Sequence, residues 1–191
     1  MRYQIEGWGQ YCVGMETSRA APLTQKRIIA AALSLTRRIG EPPSMRRLAT
    51  DLDVTPGALY RHLTSQEQLV TLMIEAVMVR VAMPDANDEA DPWERIRIHV
   101  RSLMSTLDAF PGLDSLIARY GDSSTAARIR QRWLVQQLAA AGLSRTDAVR
   151  AYGSLDIYWV GSRQRAQQTR TTFYFGLERL LDGLRQLASQ P

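Results

Sequence analysis

The run TPGALYRHL, Thr55 to Leu63, combines small residues with a Tyr-Arg-His cluster, and these residue types could contact a nucleic acid. A helix that begins near Pro56 would carry small side chains at its leading end, which lets the backbone approach base edges closely. An arginine such as Arg61 can donate two hydrogen bonds to guanine, and tyrosine or histidine can donate to phosphate oxygens. The composition of this run therefore predicts a surface that docks against DNA.

Two helices must hold this surface, and the flanking residues predict both. Ser44 is a suitable N-cap for a helix whose apolar residues recur at helical spacing, namely Met45, Leu48, Ala49 and Leu52. Thr55 can cap the short helix that follows, and Pro56 suits its first turn because the N–H there has no intrahelical partner. Leu59 and Leu63, four residues apart, would anchor the short helix on the preceding one. A helix, a turn and a second helix in this order place a recognition helix in the major groove.

The predicted DNA contacts lie on the outer face of the short helix and at the start of the helix before it. Pro56 and Ala58 would contact thymine methyl groups, while Arg61 would reach guanine. Tyr60 and His62 would bind phosphates and set the register. The predicted DNA-binding residues are Arg46, Arg47, Thr55, Pro56, Gly57, Ala58, Tyr60, Arg61 and His62. A structural helical corner without DNA contacts is the alternative interpretation of the same run.

The charge distribution agrees with an anionic partner. The 191-residue chain has a formal net charge of +5. Between Thr24 and Thr64 there are seven Lys or Arg residues and only three acidic residues, namely Glu41, Asp51 and Asp53. A solvated charged face is the common alternative explanation for such an excess. A hydrophobic content of 45% with 23% charged residues excludes wholesale disorder.

Other classes of protein find little support in the sequence. Cys12 is the only cysteine, which excludes an intramolecular disulfide and a multi-cysteine zinc site and favours the cytoplasm. No run approaches the 18 or so apolar residues of a membrane span. The motifs G-x-S-x-G, H-E-x-x-H and G-x-x-x-x-G-K-[ST] do not occur. We therefore expect a cytoplasmic protein, not bound to a membrane, that is not an enzyme and uses neither a cofactor nor a metal.

Helical periodicity recurs along almost the whole chain, so we expect an all-α fold of about nine helices. Residues 1–22 are predicted to be a flexible N-terminal arm, in which Met15 is an alternative translation start. Residues 23–83 would form a three-helix helix-turn-helix DNA-binding domain. Pro84 and the acidic run DANDEAD then break the helical pattern. Residues 84–191 would form a larger helical domain for ligand binding and dimerisation.

The segment SMRRLATDLDVTPGALYRHLTSQEQL resembles the helix-turn-helix of the TetR (tetracycline-repressor) family of transcriptional regulators. The matching features are the RRLA helix, the DVTPGALYRHL core and the following cap with E-x-L. The resemblance extends from Leu23 to about Val81, and the terminal FYFGLERLLDGL resembles the ending of the tetracycline-repressor class of regulatory domain. Gln66 departs from the pattern by replacing the usual Lys. Asp53 stands where Gly is common, and Asp tolerates the left-handed conformation.

The resemblance implies a homodimeric transcriptional regulator, most often a repressor, that binds a palindromic DNA operator. In such proteins a small-molecule effector in the larger domain changes the spacing of the two recognition helices and releases the operator. The implied partners are double-stranded operator DNA, a small-molecule effector and a second copy of the chain. The alternative is a helical partner-binding or ligand-sequestering protein without operator binding.

Aromatic and apolar residues of the larger domain could line a ligand pocket, although the same spacing is typical of ordinary core packing. Asp156 lies between Tyr152 and Trp159 in an apolar stretch, where a buried carboxylate needs a partner. It could orient a ligand, face solvent or pair with an arginine across the dimer. The candidate pocket residues are Met104, Leu107, Phe110, Tyr120, Trp133, Tyr152, Asp156 and Trp159.

Two further features leave alternatives open. His99 lies midway along the fifth predicted helix, and we expect a histidine with polar partners there rather than a metal ligand. The last predicted helix carries an apolar stripe with glycines one heptad apart, which favours packing against its symmetry mate over packing within the monomer. The candidate dimer-interface residues are Phe173, Gly176, Leu177, Leu180, Gly183 and Leu184.

Overall fold

The computed structural model describes residues 22–120, 124–163 and 169–189, and these ranges contain helices and no strand. The helices are α1 Gln25–Ile39, α2 Met45–Leu52, α3 Pro56–Tyr60, α4 Gln66–Met78, α5 Pro92–Asp108, α6 Leu113–Tyr120, α7 Thr125–Ala140, α8 Arg145–Arg163 and α9 Arg170–Ala188. The expected all-α fold of about nine helices is confirmed. None of the helices in these ranges is long and apolar enough to cross a membrane. The predicted arm, apart from residue 22, lies outside the described residues.

The first four helices begin at side-chain caps. Thr24, Ser44, Thr55 and Ser65 each accept a hydrogen bond from the backbone N–H three residues further on, at 3.1–3.2 Å. Such caps satisfy an N–H group that has no partner within the helix and contribute about 1 kcal/mol each. Local sequence thus fixes where these helices begin.

The structure divides into two compact units. The first comprises the described residues up to Val81 together with Ser105–Ala127. In this unit α1 packs on α2 and α4, α2 packs on α3, and α4 packs on α6. The core of this unit includes the fully buried side chains of Ile28, Leu48, Leu59, Leu69 and Met73. Helix α3 is therefore held on the core of this unit through its contact with α2.

The segment after α5 belongs to the first unit and lies against the end of α1. A Cβ atom added to Gly112 would lie 2.6 Å from the carbonyl carbon of Gly40, so only glycine fits at this position. The φ of Gly112, +88°, also favours glycine. Nearby, the guanidinium groups of Arg37 and Arg80 lie 5.5 and 5.3 Å from the centre of the Phe110 ring.

The second unit comprises Ala82–Met104 and the described residues from Arg128 onwards, and in it α8 packs on α9. Helices α5 and α7 each contribute residues to both units. The chain first passes from one unit to the other two residues before the domain boundary proposed from the sequence. Residues 105–127, placed in the larger domain by the sequence, group with the N-terminal helices.

Candidate nucleic-acid interface and internal cavity

The turn between α2 and α3 is closed by Asp53, which adopts a left-handed conformation with φ 56° and ψ 46°. The Asp53 N–H donates to Thr50 O at 3.2 Å, and the Val54 N–H donates to Ala49 O at 3.0 Å. These bonds satisfy carbonyl groups at the end of α2 that have no partner within the helix. Asp53 therefore takes the conformation that glycine usually supplies at this point, as expected from its tolerance of positive φ.

Helix α3 is held from its inner side. Leu59 and Leu63 are 0% and 2% exposed, and Leu48 and Leu52 of α2 are also buried. The Gln25 side chain of α1 donates from Nε2 to the carbonyl oxygen of His62 at 3.3 Å, which fixes the end of the short helix. Five residues cannot form a stable helix alone, so this packing is what keeps α3 in place.

The opposite side of α3 and the start of α2 form an exposed surface, which we call the α2–α3 surface. It consists of Arg46, Arg47, Thr55, Pro56, Gly57, Tyr60, Arg61 and His62, of which only His62 is half-buried. Tyr60 is 52% exposed although it is aromatic. Ala58 differs from the sequence prediction, because it is 8% exposed and therefore buried. Its small side chain lies at the edge of the buried leucine face and is covered by its neighbours.

The α2–α3 surface carries positive charge that no carboxylate of the described residues pairs with. Arg46, Arg47 and Arg61 form no salt bridge with any residue that the structure describes. Asp51, the acidic residue of α2, is instead paired with Arg38 at 2.7 Å. Because the three arginines are exposed and lack a salt bridge in the described ranges, they can donate to phosphate oxygens or guanine edges.

A small cavity lies in the second unit, with a volume of about 20 Å³. This is space for one water-sized group, far less than the ~300–1,000 Å³ of a site for a drug-sized ligand. Four helices supply its lining: α5, α7, α8 and α9. The lining residues are His99, Val100, Leu103, Arg130, Leu134, Tyr152, Leu155, Asp156, Tyr158, Trp159, Phe173 and Leu177.

Asp156 is the centre of a polar cluster at this cavity. Its Oδ1 accepts hydrogen bonds from Arg130 at 3.3 Å, from Trp159 Nε1 at 3.0 Å and from Tyr152 Oη at 3.4 Å. The Arg130 side chain is 9% exposed and that of Asp156 is 32% exposed. The sequence analysis did not anticipate this arrangement, in which the carboxylate pairs with an arginine of its own chain rather than across a dimer.

Arg130 is the residue of this cluster that the sequence analysis missed. Leu134 and Gln137 follow it by four and seven residues and are buried, so Arg130 lies on the inner face of α7. A cation on a buried helical face needs a partner, and that pattern could have signalled its role. Its guanidinium also lies 5.0 Å from the Trp159 ring.

His99 is fully buried and neutral. Its Nδ1 lies 2.7 Å from the carbonyl oxygen of Ala82, and because a carbonyl can only accept, Nδ1 carries the hydrogen. Burial lowers the pKa of His99 from 6.5 to about 4; the bond to Ala82 opposes this shift, and the positive charge of Arg130 adds to it. The Trp133 ring lies 4.8 Å away. In the described part of the chain, no three His, Cys, Asp or Glu side chains cluster as metal ligands do.

The predicted pocket residues fall into three groups. Tyr152, Asp156 and Trp159 line the cavity. Met104 is buried in the same unit, and Trp133 contacts the lining residue His99. The remaining three, Leu107, Phe110 and Tyr120, belong to the first unit and do not line the cavity. Leu107 is eight residues beyond His99 along α5, about 12 Å at 1.5 Å per residue. Helical periodicity indicates which face of a helix a residue lies on and not its distance along the axis, so it grouped residues that are far apart.

The predicted interface residues of α9 divide between two faces. Phe173 and Leu177 are each 2% exposed and line the cavity, so they pack within the protomer. Gly176 makes room for the Tyr158 ring, whose Cζ would lie 2.9 Å from an added Cβ. The other three, Leu180, Gly183 and Leu184, are partly or fully exposed.

A second set of apolar residues on α8 and α9, which the sequence analysis missed, is exposed. Ile157 and Phe175 are 76% and 70% exposed, and Val149 is 51% exposed. Large apolar side chains exposed together on two helices that pack on each other mark a candidate interaction surface. Their positions outside the regular apolar stripe could have identified them.

No family model matches the chain. The relatives found by sequence include two helix-turn-helix-type transcriptional regulators and the nucleoid occlusion factor SlmA of Vibrio campbellii, which is 31% identical over 90 residues. A helix-turn-helix-type transcriptional regulator from Saccharopolyspora erythraea is 30% identical over 148 residues, which cover 76% of this chain and 62% of that protein. The chain spans less than two thirds of the length of the curated relatives it matches.

Two solved structures extend the comparison over most of the chain. BioQ, in a crystal structure with its natural double-stranded DNA operator, is 30% identical with a TM-score of 0.75, covering 86% of this chain and 99% of BioQ. A possible TetR family transcriptional regulator from Streptomyces coelicolor A3(2) is 26% identical with a TM-score of 0.75, covering 85% of this chain and 99% of that one.

Proposed function

Because the chain belongs to the TetR family of transcriptional regulators, we propose that it represses transcription by binding a palindromic operator as a homodimer and leaves the operator when a small molecule binds. Residues 23–83 bind DNA in this proposal, and residues 84–191 bind the ligand and the second copy. The observation that carries it is the α2–α3 surface, where exposed arginines without a salt bridge among the described residues flank a short, firmly anchored helix. The operator complex of BioQ supports the proposal.

The residues of the α2–α3 surface divide into two roles. Arg46 and Arg47 lie beside the N-terminus of α2, where free N–H groups also attract an anion, so they bind phosphates. Tyr60 binds phosphate as well, which fixes the register of α3. Arg61 reads guanine, and Pro56 contacts a thymine methyl group. Phosphate contacts give affinity to any sequence, whereas the base contacts select the operator.

The homodimer forms through the exposed apolar residues of α8 and α9. Ile157 and Phe175 supply its centre, and the half-exposed part of α9, including Leu180 and Leu184, extends it. Covering these side chains removes apolar surface from water at about 25 cal/mol per Å². A second copy also supplies the second recognition helix, since a palindrome presents half-sites about 34–36 Å apart.

Helix α7 connects ligand binding to the N-terminal helices. At its start, the Thr125 N–H donates to Glu75 Oε1 of α4 at 2.9 Å. Five residues later Arg130 bonds Asp156 at the cavity. A ligand that displaces Arg130 therefore acts on a helix whose first turn is attached to α4. Shifting a 1:99 equilibrium to 99:1 requires about 5.5 kcal/mol of differential binding, which two ligands per dimer can share.

In this proposal the protein acts by binding and not by catalysis, and it works in the cytoplasm with access to DNA. Two of its relatives are transcriptional regulators, which supports both points. The cavity cluster is consistent with binding, because Asp156 is already held by three donors and His99 by Ala82.

The experiment that tests the proposal is selection of bound fragments from random duplex DNA by the purified protein at a stated salt concentration. We expect a palindromic motif whose affinity falls steeply with salt, because phosphate contacts release counterions. Arg61→Ala should lose base preference at one symmetric position, whereas the control Arg132→Ala, at an exposed position of α7, should select the parent motif. No enrichment by a protein that is dimeric in solution would contradict the proposal and favour a ligand-sequestering protein without operator binding.

A further inference from the structure

Two buried polar atoms at the cavity have no hydrogen-bond partner among the residues that the structure describes: Nε2 of His99 and Nε of Arg130. Both residues line the cavity. Buried polar groups in folded proteins are almost always hydrogen-bonded, and leaving one without a partner is costly. Two other polar groups of the lining have partners, since Tyr158 Oη donates to Phe173 O at 2.7 Å and Trp159 Nε1 donates to Asp156 Oδ1 at 3.0 Å.

The two atoms require opposite partners. Nδ1 of His99 carries the ring hydrogen for Ala82, so Nε2 can only accept. Nε of Arg130 carries a hydrogen and can only donate. A carboxylate could serve Arg130 but not His99, because it has no hydrogen to donate. An ammonium group could serve His99 but not Arg130. A hydroxyl group, which donates once and accepts through its oxygen, serves both.

The charges at the cavity favour a ligand without net charge. Arg130 and Asp156 form an ion pair at 3.3 Å, and His99 is neutral. An anion would compete for Arg130 with a carboxylate that Trp159 and Tyr152 also hold. A cation near Asp156 would lie beside the positive charge of Arg130, which already pairs with that carboxylate. Neither ion improves on the pairing already present.

We infer that the cavity binds a neutral, largely apolar molecule with a hydroxyl group that donates to His99 Nε2 and accepts from Arg130 Nε. The apolar body lies among leucine and aromatic side chains of the lining, such as Leu103, Leu134 and Phe173. Since a cavity of about 20 Å³ admits only the hydroxyl, binding must separate the lining helices. The role of this ligand as the effector rests on the proposed function.

The inference is tested by titrating the full chain with three naphthalenes in a calorimeter: 2-naphthol, 2-methoxynaphthalene and 2-naphthoate. We expect 2-naphthol to bind at least about tenfold more tightly than the ether, which cannot donate to His99, and than the anion. Equal affinity of the ether, tighter binding of the naphthoate, or no binding of 2-naphthol up to its solubility would each overturn the inference.

Variants of the two histidines assign the preference to His99. His99→Leu should reduce the preference for 2-naphthol over the ether to less than about threefold, since no acceptor remains. His99→Gln, whose amide can donate to Ala82 and accept through its oxygen, should keep most of it. His62→Gln, at the other histidine of the chain, should bind all three compounds like the parent. An unchanged preference in a folded His99→Leu would overturn the assignment; if that variant does not fold, the three-compound series decides alone.

Failure of this inference and failure of the proposed function give different results. A protein that selects a palindrome but does not discriminate 2-naphthol from the ether keeps the proposed function and loses the hydroxyl-bearing ligand. A protein that discriminates the two compounds as expected but selects no DNA keeps the ligand class and loses the operator. Release of the selected operator by 2-naphthol, and not by the ether, would support both.

Discussion

The α2–α3 surface and the cavity place polar groups in opposite environments. The first exposes its arginines, which have no salt-bridge partner among the described residues, on two helices that are adjacent in sequence. The second buries its polar groups among side chains of four helices, with Arg130 and Asp156 26 residues apart. Exposed charges cost little to maintain and are available to a polyanion. Buried groups require partners, so changes in the cavity should affect folding and ligand response, whereas changes on the α2–α3 surface should affect DNA binding alone.

The largest effect is expected from loss of the homodimer, because operator binding needs a second copy of the chain and ligand binding in the cavity does not. Ile157→Asp should separate the homodimer, because it places like charges in a symmetric interface at a cost of several kcal/mol. Operator affinity should collapse, while 2-naphthol binding should persist because one chain supplies the whole cavity lining. Analytical ultracentrifugation and calorimetry measure the two results. Ile157→Val should behave like the parent. A dimer that survives Ile157→Asp would show that this face is not the interface.

The next effect concerns stability and pH. Folding lowers the pKa of His99 from 6.5 to about 4. As pH falls, His99 is therefore protonated in the unfolded chain at a higher pH than in the folded chain. Stability from neutral His99 is present above about pH 6.5 and is lost as pH falls towards 4, on the order of 3 kcal/mol in total. Urea unfolding across this range measures it.

His99→Gln should remove this part of the pH dependence, and His62→Gln, on the α2–α3 surface, should retain it. If both variants show the slope of the parent protein between pH 6.5 and 4, His99 is not the buried neutral group described above.

Arg61→Ala should affect DNA recognition at a single base pair. Loss of a guanine contact costs about 1–3 kcal/mol of discrimination at that position. Competition binding with operator variants measures the preference, and unfolding experiments should show no change in stability because Arg61 is exposed. Unchanged preference at every position would remove Arg61 from the base contacts.

Tyr60→Ala should weaken binding to all DNA sequences alike, by roughly 1 kcal/mol, as expected for loss of one hydrogen bond to phosphate. Affinities for the operator and for unrelated duplexes, measured at one salt concentration, should fall by the same factor. Tyr60→Phe, which keeps the ring, should reproduce most of the loss. A selective loss for the operator would instead assign Tyr60 to base recognition.

Asp156→Ala should leave operator affinity unchanged and alter the response to ligand. Removing the carboxylate frees Arg130, so an anion such as 2-naphthoate should gain affinity relative to 2-naphthol. Calorimetry with both compounds measures the change, and the operator titration is the internal control. A variant with the parent preference for 2-naphthol would separate Asp156 from ligand selection.

The helix-turn-helix could be predicted from sequence because its determinants are local. Ser44 and Thr55 cap their own helices, Leu59 and Leu63 lie four residues apart, and Asp53 closes the turn between neighbours. Ala58 was the exception, since its burial depends on side chains packed around α3. Each DNA contact named from the sequence stays a prediction until it is tested on an operator.

The cavity could be predicted only in part because its determinants are distant in the chain. Periodicity indicated that Tyr152, Asp156 and Trp159 share a face, and they do line one cavity. It could not pair Asp156 with Arg130 or His99 with Ala82, because such pairs form only when separate helices pack. It also could not tell the buried Phe173 from the exposed Phe175 as candidates for an interface.

The contact between Gly40 and Gly112 has a mechanical consequence. With no side chain between them, the end of α1 and the segment between α5 and α6 touch backbone to backbone. Side chains can absorb a displacement by changing rotamer, but two peptide groups in contact cannot. A shift of that segment therefore presses directly on the end of α1, the helix whose Gln25 bonds the carbonyl of His62 after α3. Any larger residue at position 112 would hold this segment and the end of α1 apart.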